Sequence, residues 1–159
     1  MDEDFVFVRS PLGVIKISAT PKGITEVSFT DNEEPSSVGI SGHHAECKKQ
    51  LEQYFLGTRK KFELEFDLNG TEFQQSVWSE LLNIPFGKTQ SYQKLSEVLG
   101  DVKAIRAVAN ANAVNPIAII IPCHRVIGKN HSLTGYAGGI WRKKWLLEKE
   151  QGVMQMTLF

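Results

Sequence analysis

The sequence has only two cysteines in 159 residues, Cys47 and Cys123, and their spacing is not that of a disulfide framework. We therefore predict a protein of the reducing cytoplasm. No apolar run approaches the roughly 20 residues that cross a bilayer, so we expect no membrane segment. The acidic residues 2–4 are not typical of a signal peptide.

Clusters of metal ligands are also scarce. His43, His44 and Cys47 lie within one predicted helix, but no fourth ligand follows at a spacing typical of zinc sites. Cys47 shares a face of that helix with Leu51 and Tyr54, which predicts a buried structural thiol. We therefore expect no bound metal.

The chain has no net charge, with 18 basic and 18 acidic residues, which at first argues against a polyanionic partner. The charges are unevenly distributed, however. Residues 1–85 contain 8 Lys and Arg against 14 Asp and Glu, whereas residues 86–149 contain 10 against 3. Such a basic half is typical of a protein that meets a nucleic acid with one end. Charge scattered over solvated surfaces is the alternative.

The first part of the chain predicts an antiparallel meander, because β-rich runs are separated by turns with proline second and glycine fourth. The predicted elements are strands at 5–9, 14–19 and 23–29, a loop at 30–42, a helix at 43–55 closed by Gly57, and a strand at 61–68. We predict an N-terminal α/β domain at 1–70, a C-terminal domain at 71–150 and a tail at 151–159.

The second part predicts helices. A capping box at 71–74 begins the first of them, which carries an apolar stripe of Phe73, Val77, Trp78, Leu81 and Leu82. The other predicted helices are 91–99, 102–114 and 140–150. Gly100 ends one helix and Asp101 caps the next, which makes a helix-turn-helix. A plain helical hairpin fits this spacing equally, and the basic charge favours DNA binding.

An apolar run between Pro116 and Pro122 leads directly into Cys123, His124 and Arg125. The run predicts a short, fully buried extended segment. Because Pro122 restricts the backbone, the thiol has a stiff support with a base and a cation adjacent, which suits a nucleophile. A core cysteine beside a surface His–Arg pair is the alternative, and adjacency alone favours it.

Residues 115–128, Asn-Pro-Ile-Ala-Ile-Ile-Ile-Pro-Cys-His-Arg-Val-Ile-Gly, closely resemble the active-site motif of the O6-alkylguanine-DNA alkyltransferases, and residues 54–57 and 70–74 also resemble that family. The resemblance implies an α+β fold. Its N-terminal part is a three-stranded antiparallel sheet with helices, ribonuclease-H-like, and its C-terminal part is a mostly helical winged helix-turn-helix domain.

The resemblance also implies a DNA repair reaction, in which the alkyl group of O6-alkylguanine, or of O4-alkylthymine, moves irreversibly to Cys123 in one turnover. No cofactor is needed, because the damaged DNA is the alkyl donor. The reaction is a displacement at carbon, for which a thiolate is the best nucleophile that a protein has. Since O6 is inaccessible in a paired base, the nucleotide must be flipped out of the duplex.

By the same resemblance, His124 holds the proton of Cys123, directly or through a water, and Glu150 orients His124. Tyr92 donates a hydrogen bond to the flipped base, and Lys143 lies near the leaving group. A core position in its helix is the alternative for Tyr92.

Arg106 matches the family's intercalating arginine, which fills the gap in the base stack and implies minor-groove binding to double-stranded DNA. A phosphate contact is its alternative role. Asn115 is expected to brace the turn before the cysteine segment. The other predicted substrate- or DNA-binding residues are Ser91, Ala104, Ala107, Arg125, Tyr136 and Ala137.

Some positions depart from the family's pattern. Ala137 stands where some relatives have serine, so only a backbone contact survives there. Ala118 replaces a proline of some members, which is expected to change the bulky alkyl groups that fit. Asn110 and Asn112 are more polar than the small residues common there, and we expect them to touch the DNA backbone. Cys123 argues against the alkyltransferase-like subgroup, which carries tryptophan instead and only binds lesions.

Two other functions stay open from the residues alone. One is a winged-helix module that binds lesions or regulates DNA with a structural Cys123, and the other is a cysteine hydrolase. We expect a monomer. The tail resembles the pentapeptide that docks bacterial repair proteins on the sliding clamp, although a tail that packs on its own domain is the alternative. The predicted clamp-binding residues are Gln155, Met156, Leu158 and Phe159.

Overall fold

The computed structural model describes residues 4–31 and 42–152. They divide into two compact units, Met1–Asn69 with Pro116–Ala118, and Gly70–Asn115 with Ile119–Phe159. The strands are β1 Asp4–Ser10, β2 Gly13–Thr20, β3 Gly23–Thr30, β4 Gln90–Ser91 and β5 Val126–Ile127, and the α-helices are α1 Gly42–Leu56, α2 Glu72–Leu81, α3 Tyr92–Val98, α4 Ile105–Ala113 and α5 Ile140–Gln151. None of the helices in the described ranges has the length and apolar character to cross a membrane.

The first unit is built on the predicted meander, which is confirmed. Its three strands pair antiparallel in the order β1-β2-β3, with Val6 opposite Ile17 and Ile15 opposite Phe29. Because side chains alternate along a strand, Val6, Val8, Ile15 and Ile17 all point to one face and are buried there.

Helix α1 packs on all three strands of this sheet. Cys47, Leu51 and Tyr54 are buried on one face, as the spacing predicts. The helix ends at the predicted glycine, because Gly57 adopts a φ of 85° and its N–H donates to the carbonyl of Tyr54 at 3.0 Å. A left-handed residue at this position is a common helix stop.

The prediction of a strand at 61–68 is wrong. Only a single parallel bridge forms there, between Ile24 and Phe66. The reason is a side chain of helix α1: Gln50 accepts from the N–H of Glu63 at 2.9 Å and donates to its carbonyl at 3.1 Å. Because Gln50 already satisfies the backbone groups of Glu63, they are not available for a continuous ladder.

In the second unit, the predicted capping box of α2 is confirmed in both of its hydrogen bonds, between Thr71 and Gln74. Trp78 donates its indole N–H to the carbonyl of Ala111 at 2.9 Å, which ties α2 to α4. The apolar stripe is narrower than predicted, because Phe73 and Leu82 are exposed on either side of the buried residues.

The predicted helix-turn-helix comprises α3, a glycine turn and α4. Gly100 supplies the turn with a φ of 90°, and Asp101 accepts from the N–H of Lys103 at 2.9 Å. The second helix starts with one 3-10 turn, Val102–Ala104, before α4 begins. Helix α4 buries Val108 against the unit, and its opposite side is exposed.

A short parallel bridge joins two distant parts of this unit. Gln90 pairs with Val126, and Ser91 pairs with Ile127. Helix α3 begins immediately after β4, and Arg125 immediately precedes β5. The bridge therefore brings the start of α3 to the turn that contains Cys123. Two-residue strands have no periodic pattern, so the sequence did not predict them.

The segment between the two prolines is buried, as predicted, but it is not fully extended. Ile117 pairs with Val27 of β3, and the chain then turns at Ile119, which has a φ of 70°. A positive φ is rare for a β-branched residue because its side chain crowds the backbone. The turn persists because Ile119 is buried and tertiary packing holds it there.

Candidate active site

Cys123 is the first residue of a 3-10 turn, Cys123–Arg125, which follows the buried segment. Its side chain is almost fully buried, with 6% exposure. The N–H of Cys123 donates to the carbonyl of Ile121 at 2.8 Å, and the amide of Asn115 donates to the same carbonyl, also at 2.8 Å. Two donors therefore share one carbonyl oxygen in this turn, and the bracing role of Asn115 stays a prediction.

Electrostatic effects on Cys123 oppose one another. Burial raises the pKa of its thiol, whereas a hydrogen bond from Asn115 and the positive charge of Lys143 lower it. A buried thiol without such partners stays protonated, and a nearby cation favours the thiolate. The pKa of Cys123 is raised overall by burial, and Asn115 and Lys143 are the side chains that favour its thiolate.

His124, the next residue in the chain, is fully buried. Its Nε2 atom lies 2.8 Å from Oε2 of Glu150, and its Nδ1 atom has no hydrogen-bond partner in the part of the chain that the structure describes. Burial lowers the pKa of His124, which outweighs the opposing effect of Glu150. The neutral ring donates Nε2–H to the carboxylate, so the free lone pair is on Nδ1 and can accept a proton.

Arg125 corrects a prediction. It was expected to contact DNA or substrate, but its side chain is buried and its Nε and Nη2 atoms lie 2.7 and 3.1 Å from the two oxygens of Glu150. Its Nη1 donates to the carbonyl of Ile84 at 2.6 Å. The guanidinium adjoins Cys123 in sequence, but its geometric match to a carboxylate holds it inside the protein.

Glu150 is thereby shared by two partners. Burial raises the pKa of its carboxyl, but the hydrogen bond with His124 and the hydrogen bonds and charge of Arg125 more than compensate and bring it to about 2. The carboxylate stays ionised at neutral pH and fixes the imidazole tautomer. Helix α5 places it there because Glu150 lies on the same face as the buried Leu146 and Leu147.

Lys143 and Tyr92 meet at the backbone of Thr134. Lys143 donates from Nζ to the carbonyl of Thr134 at 2.8 Å, and the hydroxyl of Tyr92 lies 3.5 Å from the same oxygen. Burial lowers the pKa of Lys143 to about 8, against the opposing effect of Cys123. Lys143, whose lowered pKa makes it easier to deprotonate, and the phenol of Tyr92 are two proton donors near the thiol of Cys123.

The glycine-rich loop before α5 carries Tyr136 and Ala137. The carbonyl of Tyr136 accepts from the N–H of Gly139 at 2.8 Å, and burial raises the pKa of Tyr136 well above its usual range. Ala137 is exposed. Gly139 adopts a φ of 95°, which allows the loop to turn into α5.

The predicted DNA-contacting residues of the helix-turn-helix lie in different environments. Arg106 and Ala107 are exposed on α4, and Ala104 is half-buried. The hydroxyl oxygen of Ser91 accepts from the N–H of Lys94 at 3.0 Å and so caps α3. This cap explains the serine without DNA, and a DNA contact of Ser91 stays a prediction.

Asn112 corrects a second prediction, since it was expected to touch the DNA backbone. It is buried, with 3% exposure, and its Nδ2 atom lies 3.4 Å from the carbonyl of Cys123. Sequence reasoning missed this residue, as it missed the carbonyls of Ile84 and Thr134. Helical spacing offered one signal, because Asn112 is four residues after the buried Val108.

Two family models match the chain. Residues 5–68 match the ribonuclease-like domain of 6-O-methylguanine DNA methyltransferase, and residues 72–152 match its DNA-binding domain. The predicted α+β organisation is thereby confirmed in both of its parts, and so is the resemblance of the motif at 115–128.

Curated relatives agree along nearly the whole chain. A methylated-DNA–protein-cysteine methyltransferase of Mycobacterium leprae is 47% identical over 156 residues, which are 94% of each chain. One of Methanosarcina acetivorans is 42% identical over 151 residues, 92% of this chain and 97% of the relative.

Solved structures show the same fold. The crystal structure of Mycobacterium tuberculosis O6-methylguanine methyltransferase superposes with a TM-score of 0.85 at 41% identity and covers 99% of both chains. A crystal structure of the Mycobacterium tuberculosis protein in complex with DNA also has a TM-score of 0.85, over 97% of this chain and 96% of that one. The chain belongs to the methylated-DNA–protein-cysteine methyltransferase family.

Proposed function

We propose that this chain repairs DNA by moving the alkyl group of O6-alkylguanine onto the Sγ atom of Cys123, once per molecule. The observation that carries the proposal is the buried Cys123, whose pKa burial raises while Asn115 and Lys143 lower it. Next to it stands a histidine whose Nε2 is held by Glu150. This combination suits a thiol that loses its proton to a neighbouring base during the reaction, in a site from which water is excluded.

The transfer is a displacement at the alkyl carbon by the sulfur of Cys123. The proton of Cys123 passes to Nδ1 of His124, directly or through one water, and the sulfur attacks the alkyl carbon. A sulfur–carbon bond forms as the carbon–oxygen bond breaks, and the electron pair of that bond goes to guanine. The repaired guanine stays in its DNA strand and takes up one proton, which balances the proton that Cys123 gave to His124. The neutral thioether on Cys123 has no route for expelling the alkyl group, so the protein acts once.

Tyr92 and Lys143 are placed to assist the departure of guanine. Both approach the carbonyl of Thr134, and Lys143 lies 5.9 Å above the ring of Tyr92. As negative charge develops on the base, a hydrogen bond from the phenol and the charge of the ammonium stabilise it. The backbone N–H groups near Tyr136 and Ala137 complete the pocket in this proposal.

Double-stranded DNA is the proposed partner, bound through the minor groove at helix α4. The exposed side of α4 presents Arg106 beside the small residue Ala107, and the half-buried Ala104 immediately precedes this helix. Small residues allow close approach of the helix, and Arg106 takes the place of the flipped nucleotide in the stack. O4-alkylthymine is a second proposed substrate, because it also carries an alkyl group on an exocyclic oxygen.

The mass of the intact protein after reaction with O6-methylguanine duplex tests the proposal. We expect an increase of one methylene per molecule, located on Cys123 by peptide mapping. Cys123→Ala should take up no alkyl group yet still bind DNA, whereas the matched variant Cys47→Ala should react like the wild type. Lesion binding without a mass change, or repeated hydrolysis of an ester, would instead support one of the other two functions.

Base flipping by Arg106 is tested with two substrates. Arg106→Ala should slow transfer from duplex DNA about 10-fold or more, but leave transfer from free O6-benzylguanine unchanged, because only the duplex needs a filled stack. Lys103→Ala on the same exposed helix is the control for general loss of a phosphate contact. Equal losses on both substrates would place Arg106 in the pocket rather than in the DNA.

The proposed clamp-binding residues, 155–159, lie outside the described residues. The sequence Gln-Met-Thr-Leu-Phe supports docking through two apolar anchors, and attachment would raise the local concentration of a single-use protein on new DNA. Titration of a bacterial clamp should show binding by the intact chain and none by a chain without Leu158 and Phe159. Light scattering during the same experiment tests the proposed monomer.

A further inference from the structure

Asn112 lies in the last turn of helix α4, on its inner side. The neighbouring buried residues of the helix, Val108 and Ala111, are apolar. A core position on this face is normally filled by such side chains, and burial of an amide costs free energy unless its groups are hydrogen-bonded. The presence of asparagine here therefore needs an explanation.

The nitrogen and the oxygen of the Asn112 amide have different surroundings. Its Nδ2 atom lies 3.4 Å from the carbonyl oxygen of Cys123, and its side chain is also close enough to the hydroxyl of Tyr92 to lower the pKa of that phenol by hydrogen bonding. Its Oδ1 atom has no hydrogen-bond partner among the residues that the structure describes. The nitrogen therefore makes the contacts with the other two residues, and the oxygen makes none.

These contacts fix the direction of the Tyr92 proton. An amide nitrogen has two N–H groups and cannot accept, so Asn112 donates one N–H towards Cys123 and one to the phenol oxygen. Tyr92 must then direct its own O–H elsewhere. The carbonyl of Thr134 is a weak alternative acceptor, because it lies 3.5 Å away and Lys143 already donates to it at 2.8 Å.

The opposite orientation of the amide is disfavoured. It would place Oδ1 against the carbonyl of Cys123, where two acceptors repel each other. Burial raises the pKa of Tyr92, whereas hydrogen bonding with the side chains of Thr134 and Asn112 lowers it, which agrees with an amide N–H that donates to the phenol oxygen.

We propose that Asn112 is a positioning residue for the transfer reaction, which holds Tyr92 as a hydrogen-bond donor to the flipped base and joins it to the backbone of Cys123. This inference rests on the proposed function. Asn112 touches neither the alkyl group nor the sulfur, and its effect passes through Tyr92. Its unpaired Oδ1 is retained because the nitrogen of the same amide is needed at this point.

A double-mutant cycle with Tyr92→Phe tests this role. Asn112→Leu keeps the approximate shape of the side chain but removes both N–H groups. The rate of methyl transfer from duplex DNA should fall about 10-fold in Asn112→Leu and at least as much in Tyr92→Phe. The double variant should be no slower than the slower single variant, because both changes remove the same hydrogen bond to the base. Asn83→Leu, the same change at an exposed asparagine outside the proposed site, should transfer at the wild-type rate.

The mass of the wild-type protein tests the proposed function by itself, so a failure of the role of Asn112 can be told apart from a failure of that function. If Asn112→Leu transfers at the wild-type rate, or if the losses of the two single variants multiply in the double variant, Asn112 only fills the core. Asn112→Ala, which favours a helix, provides a second measurement if the leucine variant does not fold. The transfer rate of the double variant Asn112→Ala with Tyr92→Phe should again be no lower than that of the slower single variant. If the two losses multiply, the inference is overturned with this variant as well.

Discussion

The two units each bury one cysteine, and the two thiols differ in their partners rather than in their exposure. Cys47 lies between α1 and the sheet of the first unit, where burial alone raises the pKa of its thiol to about 12. Cys123 is also buried, but Asn115 and Lys143 oppose the effect of burial. A low exposure therefore does not by itself decide the reactivity of a thiol. The charged and hydrogen-bonding groups that share its site act against the effect of burial.

The ion pairs of the two units differ in the same way. In the first unit, Lys16 and Glu26 are 3.7 Å apart, and their side chains are 37% and 39% exposed. In the second unit, Arg125 and Glu150 are 2.7 Å apart with exposures of 8% and 1%. Exposed pairs contribute little to stability, whereas loss of one partner from a buried pair leaves an uncompensated charge.

The largest effect is expected from Glu150→Gln. This variant should lower the free energy of unfolding by about 3–5 kcal/mol, because it leaves Arg125 buried without its counter-ion. The matched change in the first unit, Glu26→Gln, should cost less than about 1 kcal/mol. Urea unfolding at neutral pH measures both. Equal losses in the two variants would contradict the distinction between the two pairs.

Lowering the pH should reveal how much the carboxylate of Glu150 contributes to stability. The pKa of Glu150 is about 2 in the folded chain and 4.5 ordinarily, so its contribution is complete above pH 4.5 and is lost as the pH falls towards 2. It amounts to about 3 kcal/mol. The buried His124 acts in the same direction, because its lowered pKa keeps it neutral while the unfolded chain takes up a proton below pH 6.5.

The measurement is the difference in unfolding free energy between the wild type and Glu150→Gln across this range. The difference should narrow as the pH falls from 4.5 to 2. A constant difference would mean that Glu150 does not titrate with the shifted pKa.

In the first unit, a purely steric change is expected to affect stability and not chemistry. Gly23 adopts a φ of 156°, and a Cβ atom there would lie 2.7 Å from the carbonyl oxygen of Glu65. Gly23→Ala should therefore destabilise the chain by about 2 kcal/mol or more. Gly57 also has a positive φ, 85°, but no atom lies within 4 Å of its added Cβ, so Gly57→Ala should cost about 1 kcal/mol.

Calorimetry gives the order of these two variants, and both should transfer alkyl groups at the wild-type rate once folded. A large loss of transfer in folded Gly23→Ala would show that the first unit takes part in the chemistry.

The smallest effect concerns the cation beside Cys123. Lys143→Met should raise the pKa of the Cys123 thiol and slow its alkylation by iodoacetamide about 10-fold at neutral pH. Lys144→Met removes an exposed charge one residue away and should have little effect. The rate of alkylation against pH separates the two, and it should remain unchanged in both variants if Lys143 has no influence on the thiol.

Local sequence patterns predicted much of the fold because they depend on neighbouring residues. Alternation predicted the three strands, and the pair Thr71 and Gln74 predicted the start of α2, since each contact spans only a few residues. The same reasoning failed at 61–68, where alternation was present but the side chain of Gln50 satisfied the backbone of Glu63. A contact across 13 residues leaves no local signal.

The motif at 115–128 determined the family and the nucleophile that we propose, because the order of residue types is specific there. The tertiary structure alone decided the environments of Arg125 and Asn112. Both are polar residues that local reasoning assigns to a DNA-facing surface, yet one pairs with Glu150 in the interior and the other with Cys123. The physical reason is that the pairing partner of a buried polar group is chosen by distance in space, and a sequence gives only distance along the chain.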